Sequence, residues 1–244
     1  MSALVEGSWD AARTIAAHSF NTLPEEIIDV SHGVARTLAG DAHALCDLPT
    51  YATSAMDGYA VAGVGPWRII GEVKTGLPMK GALADGSAVA IATGGVIPTG
   101  TFGIIRWEIA KVNEGILNGE VVENQDIRPA AHECQSGDLL VKAGALLNPG
   151  KIGLLSAAGL DQIRVVRKPR VALILLGDEI QLKGIPANGL VRDALGPQLP
   201  GWLEKMGCEI VATHYIPDEI SHVVKALKDA CALADVVITT GGTA

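Results

Sequence analysis

From Val171 to Leu176 the chain is apolar without interruption, and this run limits the fold more than any other segment. A strand packed on one face alternates apolar and polar side chains, whereas a parallel strand covered on both faces reads as continuous apolar. The residues that follow supply the covers. Trp202, Leu203 and Met206 mark a helix that Gly207 closes, and Glu209 to Ala212 returns as a strand. A second helix, capped by Asp218 or Ser221, carries Val223, Val224, Leu227 and Cys231; Asp235 to Thr239 is a third strand running into Thr240-Gly241-Gly242-Thr243. Beyond Pro169 the expectation is therefore βαβαβ, part of a doubly wound sheet whose ligand sits at the carboxyl ends of the strands. The helix expected behind the glycine turn is not in the chain, so the domain is expected to be incomplete and the chain a fragment of a longer protein.

Upstream the pattern is different. Ser8 is a suitable N-cap for a helix carrying Trp9, Ala12, Ile15 and Ala16, which Leu23-Pro24-Glu25-Glu26 breaks. Ile27 to Ala44 shows apolar alternation and a further short helix. From about Leu48 to Leu147 short strands and turns take over: Trp67 to Val73, Ala88 to Ala92 and Gly103 to Trp107. Asn118-Gly119 between Ile116-Leu117 and Glu120-Val121-Val122 suits a type I′ hairpin. Asn148-Pro149 opens a helix that Gly159 ends. Helical segments on both sides of a strand-rich stretch suggest an insertion. The expected fold is multi-domain α+β and α/β: residues 1–47 and 148–168 form a helical linker domain, 48–147 an inserted β-rich module, and 169–244 the incomplete βαβαβ domain.

Composition excludes several classes of function. Hydrophobic residues make up 48% of the 244, with 29 glycines, which indicates a folded, loop-rich protein and not a disordered one. A net charge of −8 argues against sequence-independent binding to nucleic acid or anionic membrane. The cationic run Arg164 to Arg170 reads either as a local anion site or as a solvated connector. Cys46, Cys134, Cys208 and Cys231 form no C-x-x-C pair, which fits reduced thiols in a cytoplasm. His132 and His214 lie far apart with no completing ligand pattern. No apolar run reaches membrane-spanning length and no leader precedes the first helix, so a soluble, unsecreted chain is expected.

Candidate chemistry lies in the turns. In Ser54-Ala55-Met56-Asp57-Gly58-Tyr59-Ala60-Val61 small and polar residues bracket one acid, followed at once by glycine. An acid on such a turn can be a general base, a hard-cation ligand, or only the acceptor of a local turn bond. Thr93-Gly94-Gly95-Val96-Ile97-Pro98-Thr99-Gly100 is a second punctuated turn between apolar runs. Together these segments resemble the signature of the MoeA/gephyrin E-domain family, the molybdopterin molybdenumtransferases, which reads S-A-M-D-G-Y-A and then T-G-A-x-x-P-x-G. The first match is complete, and the second has Gly95 for Ala. Arg170-Val171-Ala172, Gly177-Asp178-Glu179, Gly189 to Asp193 and Thr240-Gly241-Gly242 continue the family order.

The resemblance implies an enzyme of molybdenum cofactor biosynthesis. It would transfer molybdenum from molybdate onto adenylylated molybdopterin and release AMP with help from Mg2+, in a cytoplasmic homodimer whose third domain is molybdopterin-binding-like. It implies catalytic roles for Asp57, Thr93, Glu133 and Asp193, and substrate contacts from Ser54, Met56, Gly94, Gly177, Gly241, Gly242 and Thr243. It implies cation binding by Asp178, Glu179 and Glu108, the last at the end of the strand after the T-G-G turn. The alternative for each acid is a solvated carboxylate at a strand end or helix N-terminus. Departures are local. Ala194-Leu195 replace the family's Ser-Asn, Ala131-His132-Glu133 its Gly-Glu-Asp, and Phe102 an acid. These changes also admit a divergent paralogue that binds a pterin or nucleotide without turnover, or serves as a scaffold. The chain alone is expected to turn over little.

Overall fold

The computed structural model describes residues 8–240, which separate into two compact units. Of the described residues, one unit comprises 8–40, 143–148 and 162–240, and the other 41–142 and 149–161.

In the first unit the strand Arg170–Leu176 is central, with Glu209–Ile216 and Val236–Thr240 parallel to it on either side. Its side chains alternate between two cores. Ala172 and Ile174 pack with Ala226 and Ala230 of the helix Ile220–Leu233. Val171 and Leu173 pack with Leu203 of the helix Leu195–Lys205. Burial on both faces, which the uninterrupted apolar run implied, is what the strand has. The helix Leu195–Lys205 ends in a Schellman turn: Gly207 at φ 81° donates to Glu204 O, and Cys208 donates to Leu203 O. The helix Ile220–Leu233 starts differently from the expectation. Its N-cap is Glu219, with no side-chain cap bond, and Ser221 Oγ donates instead to Glu219 Oε1 at 2.7 Å.

The amino-terminal helix runs Trp9–His18, with Ser8 accepting the Ala11 amide at 3.1 Å. None of its residues is buried. Two stretches placed in helical segments are strands: Glu25–Asp29 pairs antiparallel with Gln162–Val166. Alternation at Ile27 and the β-branched run Ile163, Val165, Val166 favour a strand over a helix. The cationic run is answered inside this unit. Arg164 pairs with Glu25 at 3.3 Å, and Arg167 forks onto Asp235 at 2.8 and 2.9 Å. The Arg167 guanidinium and the Arg170 amide hold the Asp235 carboxyl far below the usual range.

The second unit is built on a six-stranded sheet in the order Gly103–Arg106, Gly58–Val61, Ser87–Ile91, Trp67–Val73, Ile116–Asn118, Lys111–Asn113. Neighbouring residues of one strand feed opposite faces: Ala60, Val89 and Ile104 pack in one core, Val61, Ala88 and Ile105 in another. The hairpin turn falls one strand earlier than the Asn-Gly signal. Lys111–Asn113 pairs with Ile116–Asn118 around Glu114 and Gly115, whose φ values of 47° and 78° suit a type I′ turn. Gly119 answers packing instead, since a methyl group there would meet the Ile105 side chain at 3.2 Å. The helix Pro149–Ala157 closes with Gly159 at φ 91°. Among the described residues no helix is long and apolar enough to cross a membrane.

Candidate functional site

The two signature turns meet in space. Ser54 is buried, and its Oγ donates to Met56 O at 2.6 Å, which closes the turn before Asp57. The Ser54 amide donates to Gly95 O at 2.9 Å and its carbonyl accepts from the Gly94 amide at 2.8 Å. Gly94 adopts φ 79°, a left-handed conformation that glycine takes without strain. This stitching carries Thr93 to Asp57, 36 residues away in sequence. Asp57 Oδ1 accepts the Thr93 amide at 2.7 Å and the Thr93 hydroxyl at 2.9 Å. These two donors, the amide foremost, hold the exposed Asp57 carboxyl below the usual carboxylate range.

That depression narrows the chemistry. A general base works best with a pKa near the operating pH, and Asp57 is moved away from it. An ionised carboxylate with one oxygen fixed suits holding a cation or a substrate donor.

Gly58 is set by space. A methyl group there would stand 2.3 Å from the Ile105 carbonyl oxygen. Gly95, where the resembled signature has Ala, is also tight: a methyl group would lie 2.7 Å from Ile91 Cγ1.

Beside the turn stands a pair that the motifs did not indicate. Arg106, opposite Gly58 in register, donates through Nε and Nη2 to the two Asp126 carboxylate oxygens at 2.7 and 2.8 Å. The Asp126 carbonyl accepts the Ala55 amide at 2.8 Å, and Trp107 N donates to Asp57 O at 3.2 Å. Arg106 and Asp126 thus brace the segment that presents Asp57. The two lie 20 residues apart in sequence, so no local pattern announces the pair.

Glu108 does not end the strand Gly103–Arg106. It lies beyond it in an exposed turn where the Ile109 and Ala110 amides donate to Arg106 O. Glu133 is exposed, and its amide donates to Leu48 O at 2.8 Å. A cleft of about 1060 Å³ in this unit is lined by Trp67, Phe102, Ile109 and Lys111 among others, and by none of the expected site residues.

The first unit holds the other acids at the carboxyl end of its central strand. Gly177 adopts φ 142°, and a methyl group there would lie 2.6 Å from Glu179 Oε2. Asp178 Oδ1 accepts the Asp218 amide at a long 3.4 Å. Ile180–Gln181 pairs in parallel with Val191–Arg192, which leads directly to Asp193. Thr240 Oγ1 accepts the Leu176 amide at 3.0 Å, tying the ends of two strands. Gly241, Gly242 and Thr243 lie outside the described residues. Among the described residues no group of three or more His, Cys, Asp or Glu side chains forms a site that could hold a metal ion. The cysteines are free thiols.

Taken separately, the two units define a class: a strand-rich unit presenting a stitched Asp–Thr turn pair, and a parallel α/β unit with acids at its strand ends. Residues 8–159 match the MoeA N-terminal region (domain I and II), and by that match the chain belongs to the MoeA family. Residues 172–244 match a probable molybdopterin binding domain. Curated relatives include the molybdopterin molybdenumtransferases of Staphylococcus aureus strain MRSA252, 27% identical over 91% of the chain, and of Haemophilus influenzae, 31% identical over 89%. The chain spans 56% of the length of each. Two solved structures of the molybdopterin biosynthesis MoeA protein of Pyrococcus horikoshii superpose over 96% of the chain. Their TM-scores are 0.78 and 0.83, at 28% and 25% identity, and the chain covers 63% and 66% of them.

Proposed function

We propose that the chain is the amino-terminal portion of a molybdopterin molybdenumtransferase, which inserts molybdenum from molybdate into adenylylated molybdopterin and releases AMP. The convergence of Thr93 on Asp57 carries this reading, because it joins the family's two signature turns into one oriented, ionised carboxylate. Ser54, Met56 and Gly94 shape that turn. Asp57 would hold a positively polarised part of the substrate complex, and the Thr93 hydroxyl would keep the carboxylate turned outward. Glu133 and Asp193 keep roles as site acids within this reading, and Gly177 that of a substrate contact. The division into a linker domain (1–47 and 148–168), a β-module and a molybdopterin-binding domain belongs to it as well.

Magnesium enters as an ion that keeps most of its waters and takes one or two carboxylates together with substrate phosphates. Asp178 and Glu179 are the acids of the α/β unit for that purpose, and Glu108 is that of the β-module. The ion would neutralise phosphate charge. A cytoplasmic homodimer is part of the same reading, as is weak turnover by the chain alone.

The test is molybdenum insertion into adenylylated molybdopterin by the full-length gene product, supplied with molybdate and magnesium. Wild type is expected to be active, with Asp57→Asn and Thr93→Val lowered about ten- to a hundredfold, the usual loss when a group orienting a ligand is removed. An inactive full-length protein refutes the enzymatic reading. The absence of side-chain bonding at Ala194 favours a second reading, a binding or scaffold paralogue. Tight molybdopterin binding without metal insertion would select it.

A further inference from the structure

We propose that Tyr215 is a positioning residue that fixes the Asp193 carboxylate at the amino end of the helix Leu195–Lys205, so that Asp193 shapes the binding turn and does not react. The proposal rests on the molybdenumtransferase reading only for its functional arm.

The geometry closes on Asp193 from two sides. Its Oδ1 accepts the Gly196 amide at 2.9 Å, and its Oδ2 accepts the Tyr215 hydroxyl at 2.9 Å. A helix N-terminus leaves amides without intrahelical partners, which a capping side chain satisfies. Here the N-cap residue is Ala194, which has no side-chain cap bond. Asp193 therefore caps from the position before it, and the phenol holds the second oxygen so that the carboxylate cannot swing away.

The third member of the arrangement is Gly196. It is buried, and a methyl group there would lie 2.2 Å from Asp193 Oδ2, 2.3 Å from the Tyr215 hydroxyl oxygen and 3.0 Å from Leu175 Cδ1. Only glycine leaves room for acid and phenol to meet over the helix end. Tyr215 is the penultimate residue of the strand Glu209–Ile216, beside the carboxyl end of the central strand. Ligands of such sheets bind at that end, so a turn fixed there fixes the shape offered to a ligand. Tyr215 is an exposed residue, but local desolvation of its hydroxyl, and then the bond to Asp193, push the phenol above its ordinary value, as expected for a hydroxyl kept as donor to a carboxylate.

The stability arm is a double-mutant cycle on the 244-residue chain with Tyr215→Phe, Asp193→Ala and the double variant, followed by urea unfolding. A hydrogen bond to a charged group predicts a coupling of about tenfold or more in the unfolding constant. Tyr215→Phe should cost almost nothing once Asp193 is Ala. Gly196→Ala should likewise be milder in the double variant than in wild type.

The functional arm uses the full-length protein. Tyr215→Phe should raise KM for adenylylated molybdopterin severalfold with kcat kept within about twofold, the pattern of lost uniform binding. Asp193→Asn should act on the same parameter, and the combination should be no worse than Asp193→Asn alone. Additive effects on unfolding overturn the proposal whatever the activity. Coupling with an unchanged KM also overturns it, since Tyr215 would then be structural only. A coupled pair in a full-length protein that inserts no molybdenum supports the geometry and refutes the function on which the second arm rests.

Discussion

Replacing Gly58 with Ala separates the two halves of the Asp-Gly signature. The added methyl group would sit 2.3 Å from Ile105 O, 2.9 Å from Ile105 C and 3.0 Å from Ile104 Cγ2, where ordinary contact begins at 3.4 Å. The obstacle is mainly backbone. The strand Gly58–Val61 cannot retreat, because it is hydrogen-bonded to Ser87–Ile91 on one side and Gly103–Arg106 on the other. Relief needs a shift of about 1 Å in a ladder whose neighbours Ala60, Ile104 and Ile105 are fully buried.

Overpacking of this kind costs about 1–3 kcal/mol. For a chain of this length each kcal/mol lowers Tm by about 2–4 °C, so a fall of roughly 2–12 °C is expected. The assay is differential scanning calorimetry of Gly58→Ala beside Asp57→Asn and wild type. Asp57 is exposed, so its amide should melt close to wild type while molybdenum insertion by the full-length protein falls. If Gly58→Ala melted with wild type, the strand spacing argued for the motif would be wrong. If Asp57→Asn melted as low as Gly58→Ala, the acid would be a structural group.

Leu173→Ala should destabilise the α/β unit by about 2–5 kcal/mol, because the side chain is fully buried beneath the helix Leu195–Lys205. Chemical denaturation measures it, and a loss below 1 kcal/mol would mean that the helix collapses into the gap. The Arg106 guanidinium holds the Asp126 carboxyl below its ordinary value. A depressed carboxylate stabilises the fold above its unfolded pKa, and that contribution is lost as pH falls through the folded one. Acid unfolding of Arg106→Gln should therefore begin at higher pH than that of wild type, and coincident acid transitions would show that the fork contributes nothing.

How legible each element was in the sequence follows from what held it in place. The strand Arg170–Leu176 announced itself because both of its faces are buried, which leaves composition no freedom. Gly207 and Gly159 were readable as helix ends because each occupies a left-handed position. The hairpin was misplaced because Asn-Gly is the better local signal, yet Glu114 and Gly115 take the two positive φ angles. The partner strands Glu25–Asp29 and Gln162–Val166 lie too far apart in sequence for any window of periodicity to connect. Within the candidate site, the resemblance singled out Asp57 and Thr93, and no motif announced their contact. Arg106, Asp126 and Tyr215 carry no motif, and only the folded chain brings Arg106 to Asp126 and Tyr215 to Asp193.

The two aspartates marked by the same resemblance are held in opposite ways, and the difference bears on what each can do. Asp57 takes both of its bonds on Oδ1, from a threonine amide and hydroxyl, at an exposed turn. Asp193 takes one bond on each oxygen, from a helix amide and a phenol. A carboxylate bound through one oxygen is aimed, with the other oxygen turned toward what arrives. A carboxylate bound through both is a clamp, and an incoming ligand meets the turn that it fixes. The loss of bonding side chains at Ala194 and Leu195 belongs with this difference. Where neither residue can cap the helix, the acid before them does so, and Tyr215 with Gly196 makes the room and the bond that this needs. On the proposed function, Asp57 is then the acid to test for chemistry and Asp193 the acid to test for the shape of the turn.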